Sequence, residues 1–229
     1  MKKFFTLITV AMMALSANAQ RIAFSEEDIA DKGTLDGKEF VNGEFKLTIT
    51  DTDGKIAIDK NSQWFGTADA QEKSAGGRLK SGGKSSSKNT LTATVPADGT
   101  LKVWARTGSN DATDRTLVIL QGEEELYNAV VQEADAVKVK GLDTADPDKE
   151  TNVYPIISVS VKAGDVAINY PVGSMNFYAF EFVGGDPTGI QTVKVAHQNA
   201  NAIYNLAGQQ VNDGFKGLVI MNGKKIVKK

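Results

Sequence analysis

TLTATVPADGTLKVWART, residues 90–107, decides the fold. Leu91, Ala93 and Val95 alternate with threonines, Asp98-Gly99 turns the chain, and Leu101, Val103 and Ala105 then alternate with Lys102, Trp104 and Arg106. Successive side chains of a β-strand point to opposite faces, so each run reads as a strand with one buried and one wet face. The same period of two extends outward in both directions. Phe45, Leu47 and Ile49 precede Asp53-Gly54, which reads as a hairpin turn into Ile56 and Ile58. Thr116–Leu120 is apolar on both faces and reads as a central strand, and Val137–Val139 as a short one. Ile157, Val159 and Val161 lead through Ala163-Gly164-Asp165 into Val166, Ile168 and Tyr170, and Phe177–Val183 ends the pattern. One helical turn is expected at Ser25–Ile29, with Ser25 as cap and Asp28 closing a capping box. Many short strands, turns of Gly, Asp and Asn, and no long helical periodicity predict an all-β, antiparallel, jelly-roll-like sandwich.

The sandwich is expected to span residues 20–185. Gly184-Gly185-Asp186-Pro187 breaks the last core strand, and the apolar pattern restarts at Ile190. Residues 186–229 read as a small C-terminal β-sheet, because Asn222-Gly223 between Leu218–Met221 and Ile226–Val227 is a strong two-residue hairpin signal. Residues 1–19 read as a signal peptide: Lys2-Lys3, an apolar run from Phe4 to Leu15, then Ala17-Asn18-Ala19 before Gln20. No later stretch approaches the ~20 apolar residues that a membrane-spanning helix requires, so no transmembrane span is expected. The destination is the cell surface or the medium.

Removing Lys2 and Lys3 leaves 24 basic against 28 acidic residues, a net charge of −4. That balance argues against a nucleic-acid partner. Cysteine is absent, which excludes disulfides, thiol catalysis and thiolate metal sites. The sole histidine, His197, falls in the tail, so the sandwich holds no histidine-based triad. No GxSxG or HExxH motif is present. Gly82-Gly83-Lys84-Ser85 ends like a phosphate-binding loop, but Arg78 stands where that motif needs its first glycine. The chain is read as non-catalytic.

Two resemblances sharpen this reading. Ile203-Tyr204-Asn205-Leu206, Gly208-Gln209, Val211, Lys216-Gly217 and Asn222-Gly223-Lys224-Lys225 resemble the C-terminal sorting domains of the type IX secretion system. That resemblance implies delivery by the secretion machinery through the tail. Arg78-Leu79-Lys80, the 90–107 stretch, Asp114-Arg115-Thr116-Leu117 and Asn176–Phe180 resemble β-sandwich modules found beside pectate lyases. This second resemblance implies a secreted β-sandwich module of the kind that usually accompanies a catalytic domain, and speaks to the fold more than to a ligand.

Sugar-binding sandwiches stack aromatic side chains on sugar rings and grip acidic sugars with Arg or Lys. Trp104 and Arg106 share the strand face opposite Leu101 and Val103, and Trp64 sits in a loop. Arg78 and Lys80 belong to a basic run with Lys73, Lys84 and Lys88, and Arg115 sits at a strand edge. The expected ligand contacts are therefore Trp64, Arg78, Lys80, Trp104, Arg106 and Arg115, with an acidic polysaccharide as ligand. The glycine- and serine-rich run Ser81–Ser87 reads as a flexible loop. Asp143, Asp146 and Asp148 could begin a structural calcium site. Two alternatives stay open: a structural or adhesive surface protein that binds other proteins, and a polysaccharide-acting enzyme using paired carboxylates.

Overall fold

The computed structural model describes residues 19–185 and the backbone of strands 203–205, 210–211, 217–221 and 224–228. Most of the leader, the break at Asp186-Pro187, His197 and Asn222-Gly223 lie outside the described residues.

Two six-stranded sheets form the sandwich. Sheet I runs β14 (Ile157–Val161), β9 (Gly99–Thr107), β16 (Met175–Gly184), β7 (Gly77–Lys80), β4 (Ala57–Lys60). Strand β1 (Ala19–Ala23) also pairs with β16. Because β9 follows β16 from Met175 to Gly184, β7 and β1 take successive stretches of its other edge. Sheet II runs β11 (Glu124–Val130), β10 (Thr116–Gln121), β15 (Gly164–Asn169), β8 (Asn89–Val95), β3 (Phe45–Asp51), β2 (Glu39–Asn42). All pairs within these two sheets are antiparallel.

The period-two runs are the sandwich-forming strands. In β3, Phe45, Leu47 and Ile49 are fully buried while the residues between them are partly exposed. Leu91, Ala93 and Val95 of β8 do the same, and both strands face Leu101, Val103, Phe180 and Phe182 of sheet I in one core. Burial of each large apolar side chain contributes roughly 1.5–3 kcal/mol. The capping box at Ser25 is present: Asp28 Oδ2 accepts from Ser25 N at 2.8 Å, ahead of one 3₁₀ turn at Glu26–Asp28.

Three local expectations are corrected. Asp53-Gly54 is not a hairpin, since β3 and β4 belong to different sheets. It is a corner, built by the buried Asp51 carboxylate, which accepts from Lys55 N at 2.7 Å and Ile56 N at 3.0 Å. Thr116–Leu120 is an interior strand of sheet II, as read, but it is not buried on both faces. Leu117 and Ile119 enter the core, whereas Val118 and Leu120 lie half-exposed on the outside of sheet II. Nor is Ser81–Ser87 a loose loop. Ser81 is fully buried, its Oγ accepts from Met175 N at 2.9 Å, its carbonyl accepts from Asn89 Nδ2 at 2.9 Å, and Ser85 N donates to Tyr170 O at 3.0 Å.

A third layer was not foreseen. β12 (Val137–Val139), β13 (Thr151–Tyr154), β5 (Trp64–Gly66) and β6 (Gln71–Lys73) form a four-stranded sheet III, with β13 and β5 parallel. Its Phe65 and Tyr154 pack on Trp104, Tyr178 and Ala179 in a second core on the outer face of sheet I. A bulge in β16 makes this core. The register with β9 shifts between Phe177 and Ala179, so Tyr178 and Ala179 both turn outward while Phe177 and Phe180 both turn inward. An extra residue in one strand re-aims side chains in this way.

The chain divides into two compact units, Met1–Pro187 and Thr188–Lys229. In the second, β17 (Ile203–Asn205), β18 (Gln210–Val211), β19 (Gly217–Met221) and β20 (Lys224–Lys228) form a sheet in the order β18-β17-β19-β20. Met221 pairs with Lys224 across a two-residue connection.

Candidate functional site

Of the charged side chains singled out from the sequence, the outer face of sheet I carries Arg78, Lys80 and Arg106. On one side, Arg78 Nε and Nη2 donate to Asp59 Oδ1 and Oδ2 at 2.8 and 3.2 Å, and Lys80 Nζ lies 2.9 Å from Asp59 Oδ2. Burial pushes the Asp59 carboxyl up, but the hydrogen bonds from Arg78 and Lys80 outweigh it and hold the carboxyl below the ordinary range. Both cations are thus paired with Asp59, and Lys80 keeps 36% of its side-chain surface open.

Under sheet III, Arg106 is buried, lies 5.0 Å from the Tyr154 ring centroid and hydrogen-bonds Asn110. Its Nη2 is 3.8 Å from Glu133 Oε2. Tyr178 donates to Asn61 Oδ1 at 2.7 Å, and burial pushes its phenol up to about 12, against the pull of Arg106 and Arg78. Trp104 is only 3% exposed. Neither Trp104 nor Arg106 is an open platform for a sugar ring, because sheet III covers the face they share. Trp64 lies not in a loop but in β5, half-buried and turned the other way from Phe65, with Lys73 Nζ 6.0 Å from its ring centroid. Arg115 is far off at the start of β10, near Val172 O at 3.4 Å and against Gly173, where a Cβ would collide with the guanidinium. Arg78, Trp104 and Arg106 gather around Tyr178, whereas Trp64 and Arg115 do not join them.

Where sheet III ends, a groove of about 420 Å³ opens. Its wall is the β5–β6 connection, and its floor is the outer face of β1, β16, β9 and β14. Arg21, Glu181, Lys102 and Ser158 stand side by side there, in register across four adjacent strands. The next row, two residues along, is Ala23, Ala179 and Trp104, with Ile156 packed against them and the two alanines leaving room for the indole beneath sheet III.

Glu72 of β6 ties wall to floor. One carboxylate oxygen, Oε1, accepts from Trp104 Nε1, and the other, Oε2, accepts from Arg21 Nη1 at 2.8 Å. The Arg21 guanidinium lies over the Trp104 ring, 4.3 Å from its centroid, in a cation–π stack. Arg21 Nη1 is 4.0 Å from Glu181 Oε2, and Lys102 Nζ donates to Glu181 Oε1 at 2.8 Å. Arg21 and Glu72 keep 31% and 38% of their side-chain surface open. The arrangement is a rigid set of donors and acceptors with an aromatic backing. Of the sequence-derived contacts only Trp104 belongs to it, as the support behind Arg21.

Arg21, Glu72 and Glu181 escaped the sequence reading. Glu181 did leave a signal, as the one acid in an apolar strand between Phe180 and Phe182. The calcium candidates Asp143, Asp146 and Asp148 offer less. Asp143 accepts from Ala145 N at 3.0 Å and pairs with Lys149 Nζ at 3.0 Å, and Asp146 accepts from Asp148 N at 3.3 Å. Among the described residues no three His, Cys, Asp or Glu side chains converge as a metal would need.

No protein-family model matches the chain. No curated protein matches it. Among solved structures it is similar to the catalytic domain of a GH87 alpha-1,3-glucanase in complex with tetrasaccharides, at 10% identity and a TM-score of 0.33. That alignment covers 68% of this chain and 30% of the glucanase chain, so this protein spans less than a third of its length. No described helix is long and apolar enough to cross a membrane.

Proposed function

We propose that this chain is an exported, non-catalytic β-sandwich protein that binds carbohydrate in the groove beside sheet III. The observation that carries the reading is the Arg21–Glu72–Trp104 constellation. It holds a guanidinium and a carboxylate in fixed positions at the mouth of a groove whose volume falls within the roughly 300–1,000 Å³ of small-ligand clefts. Sugar hydroxyls both donate and accept, so they match such a mixed array. A binding role is favoured over hydrolysis because both oxygens of Glu72 already accept from fixed donors.

The test is a polysaccharide array probed with residues 20–229 and with Arg21→Ala. Wild-type binding that weakens about tenfold or more in the variant is expected, as for lost hydrogen bonds to a charged group. The ion pair keeps 31% and 38% of its side chains open and so adds little to folding, and circular dichroism checks that the variant remains folded. Silence of the wild-type protein across the array would overturn the reading.

The export route rests on the leader pattern and the tail's resemblance to sorting domains. Deleting residues 186–229 is expected to abolish surface delivery while the sandwich still folds. Unchanged delivery, read by surface labelling, would remove the sorting role from the tail.

A further inference from the structure

We infer that the groove selects neutral glycans over acidic ones. This rests on the carbohydrate reading above and adds the class of ligand. The floor row alternates in sign: Arg21, Glu181 and Lys102 are direct neighbours on β1, β16 and β9, followed by the neutral Ser158 on β14. Glu72 stands on the wall and closes the row at the Arg21 end. Two cations and two carboxylates balance. Each cation has a partner, Arg21 in Glu72 at 2.8 Å and Lys102 in Glu181 at 2.8 Å.

A uronate entering this row finds no uncommitted cation. It can accept only from the remaining N–H groups of Arg21 or Lys102, and its carboxylate then stands beside Glu72 or Glu181, a like charge. Inside a partly desolvated groove that repulsion is stronger than in bulk water. A hydroxyl brings no such charge. It donates to a remaining carboxylate lone pair and accepts from an ammonium or guanidinium N–H, leaving every ion pair in place. Adjacent strands are spaced by about 4.8 Å, so hydroxyls along an extended glycan meet acceptor and donor in turn. The same balance separates this site from the basic run: Arg78 and Lys80, the cations expected to hold acidic sugars, are tied to Asp59.

The experiment compares binding of residues 20–229 to neutral polysaccharides (a β-glucan, a xylan backbone, a dextran) and to polygalacturonate and alginate, at low and high salt. Neutral binding that is insensitive to salt and at least about tenfold tighter than uronate binding is expected, since no net charge is neutralised. Uronate binding that equals or exceeds neutral binding would overturn the inference and leave the carbohydrate reading standing. Binding to neither class would overturn both. Glu181→Gln supplies a second arm. Removing that carboxylate frees Lys102, and the preference for neutral glycans should shrink about fivefold or more. An unchanged preference in a folded Glu181→Gln protein would show that the charge balance does not set the choice.

Discussion

Trp104→Ala is expected to cost about 3–5 kcal/mol of stability, the range for removing a large aromatic side chain from a core. The indole is 3% exposed and sits among Phe65, Tyr154, Tyr178 and Ala179, the cluster that joins sheet III to the sandwich. Its loss opens a cavity at the only core sheet III has among the described residues, and it also strips Glu72 of one hydrogen-bond donor and Arg21 of its stacking surface. The effect should be uneven. Urea unfolding should show the lowered stability, and hydrogen exchange should show β5 and β13 losing protection before β3 and β8, whose core lies on the other side of sheet I. A cost under about 1 kcal/mol, with sheet III still protected, would mean that the cluster does not hold the layer. The same argument bars Trp104→Ala as a probe of ligand contact, because any lost binding would report lost structure.

Gly82→Ala is expected to cost about 2–4 kcal/mol, combining strain from a positive φ with a clash against backbone. Gly82 has φ +67, and a Cβ there would lie 2.0 Å from Lys55 O, at the corner the Asp51 carboxylate builds. A backbone oxygen cannot rotate away as a side chain would. Gly122→Ala is the control. Its φ is +60, but a Cβ would meet nothing within 4 Å, so only the left-handed conformation is penalised, by about 1–2 kcal/mol. Thermal melts of the two variants separate clash from strain. Equal losses would show that the approach to Lys55 is not tight in solution.

The sandwich was legible because period two survives in the strands that face the main core, apart from the bulge in β16. Leu101, Val103 and Ala105 point inward as their spacing requires. Corners were harder. Asp53-Gly54 carries the residues of a hairpin turn, and nothing local distinguishes a chain that folds back within a sheet from one that crosses to the other. The difference lies in Asp51, whose carboxylate captures two backbone N–H groups further on. Sheet III was illegible for a similar reason. Its strands are three or four residues long, and two of them, β5 and β13, meet in parallel from distant parts of the chain. Once that sheet is in place, the outward face of Trp104 and Arg106 becomes an interior. The groove depends on registers that pair β1 with β16 and β16 with β9, and register is a property of the assembled sheet rather than of any one segment.

The bulge at Tyr178 has a wider meaning. Read without that residue, β16 alternates without a break: Met175, Phe177, Phe180 and Phe182 inward, Asn176, Ala179 and Glu181 outward. The two-layer sandwich is therefore spelled in an uninterrupted rhythm, and Tyr178 is a single beat inserted into it. That beat lets a second interior grow on a face that would otherwise be surface. One inserted residue thus adds an aromatic ring to the outer face, and Phe65, Trp104 and Tyr154 complete the interior around it.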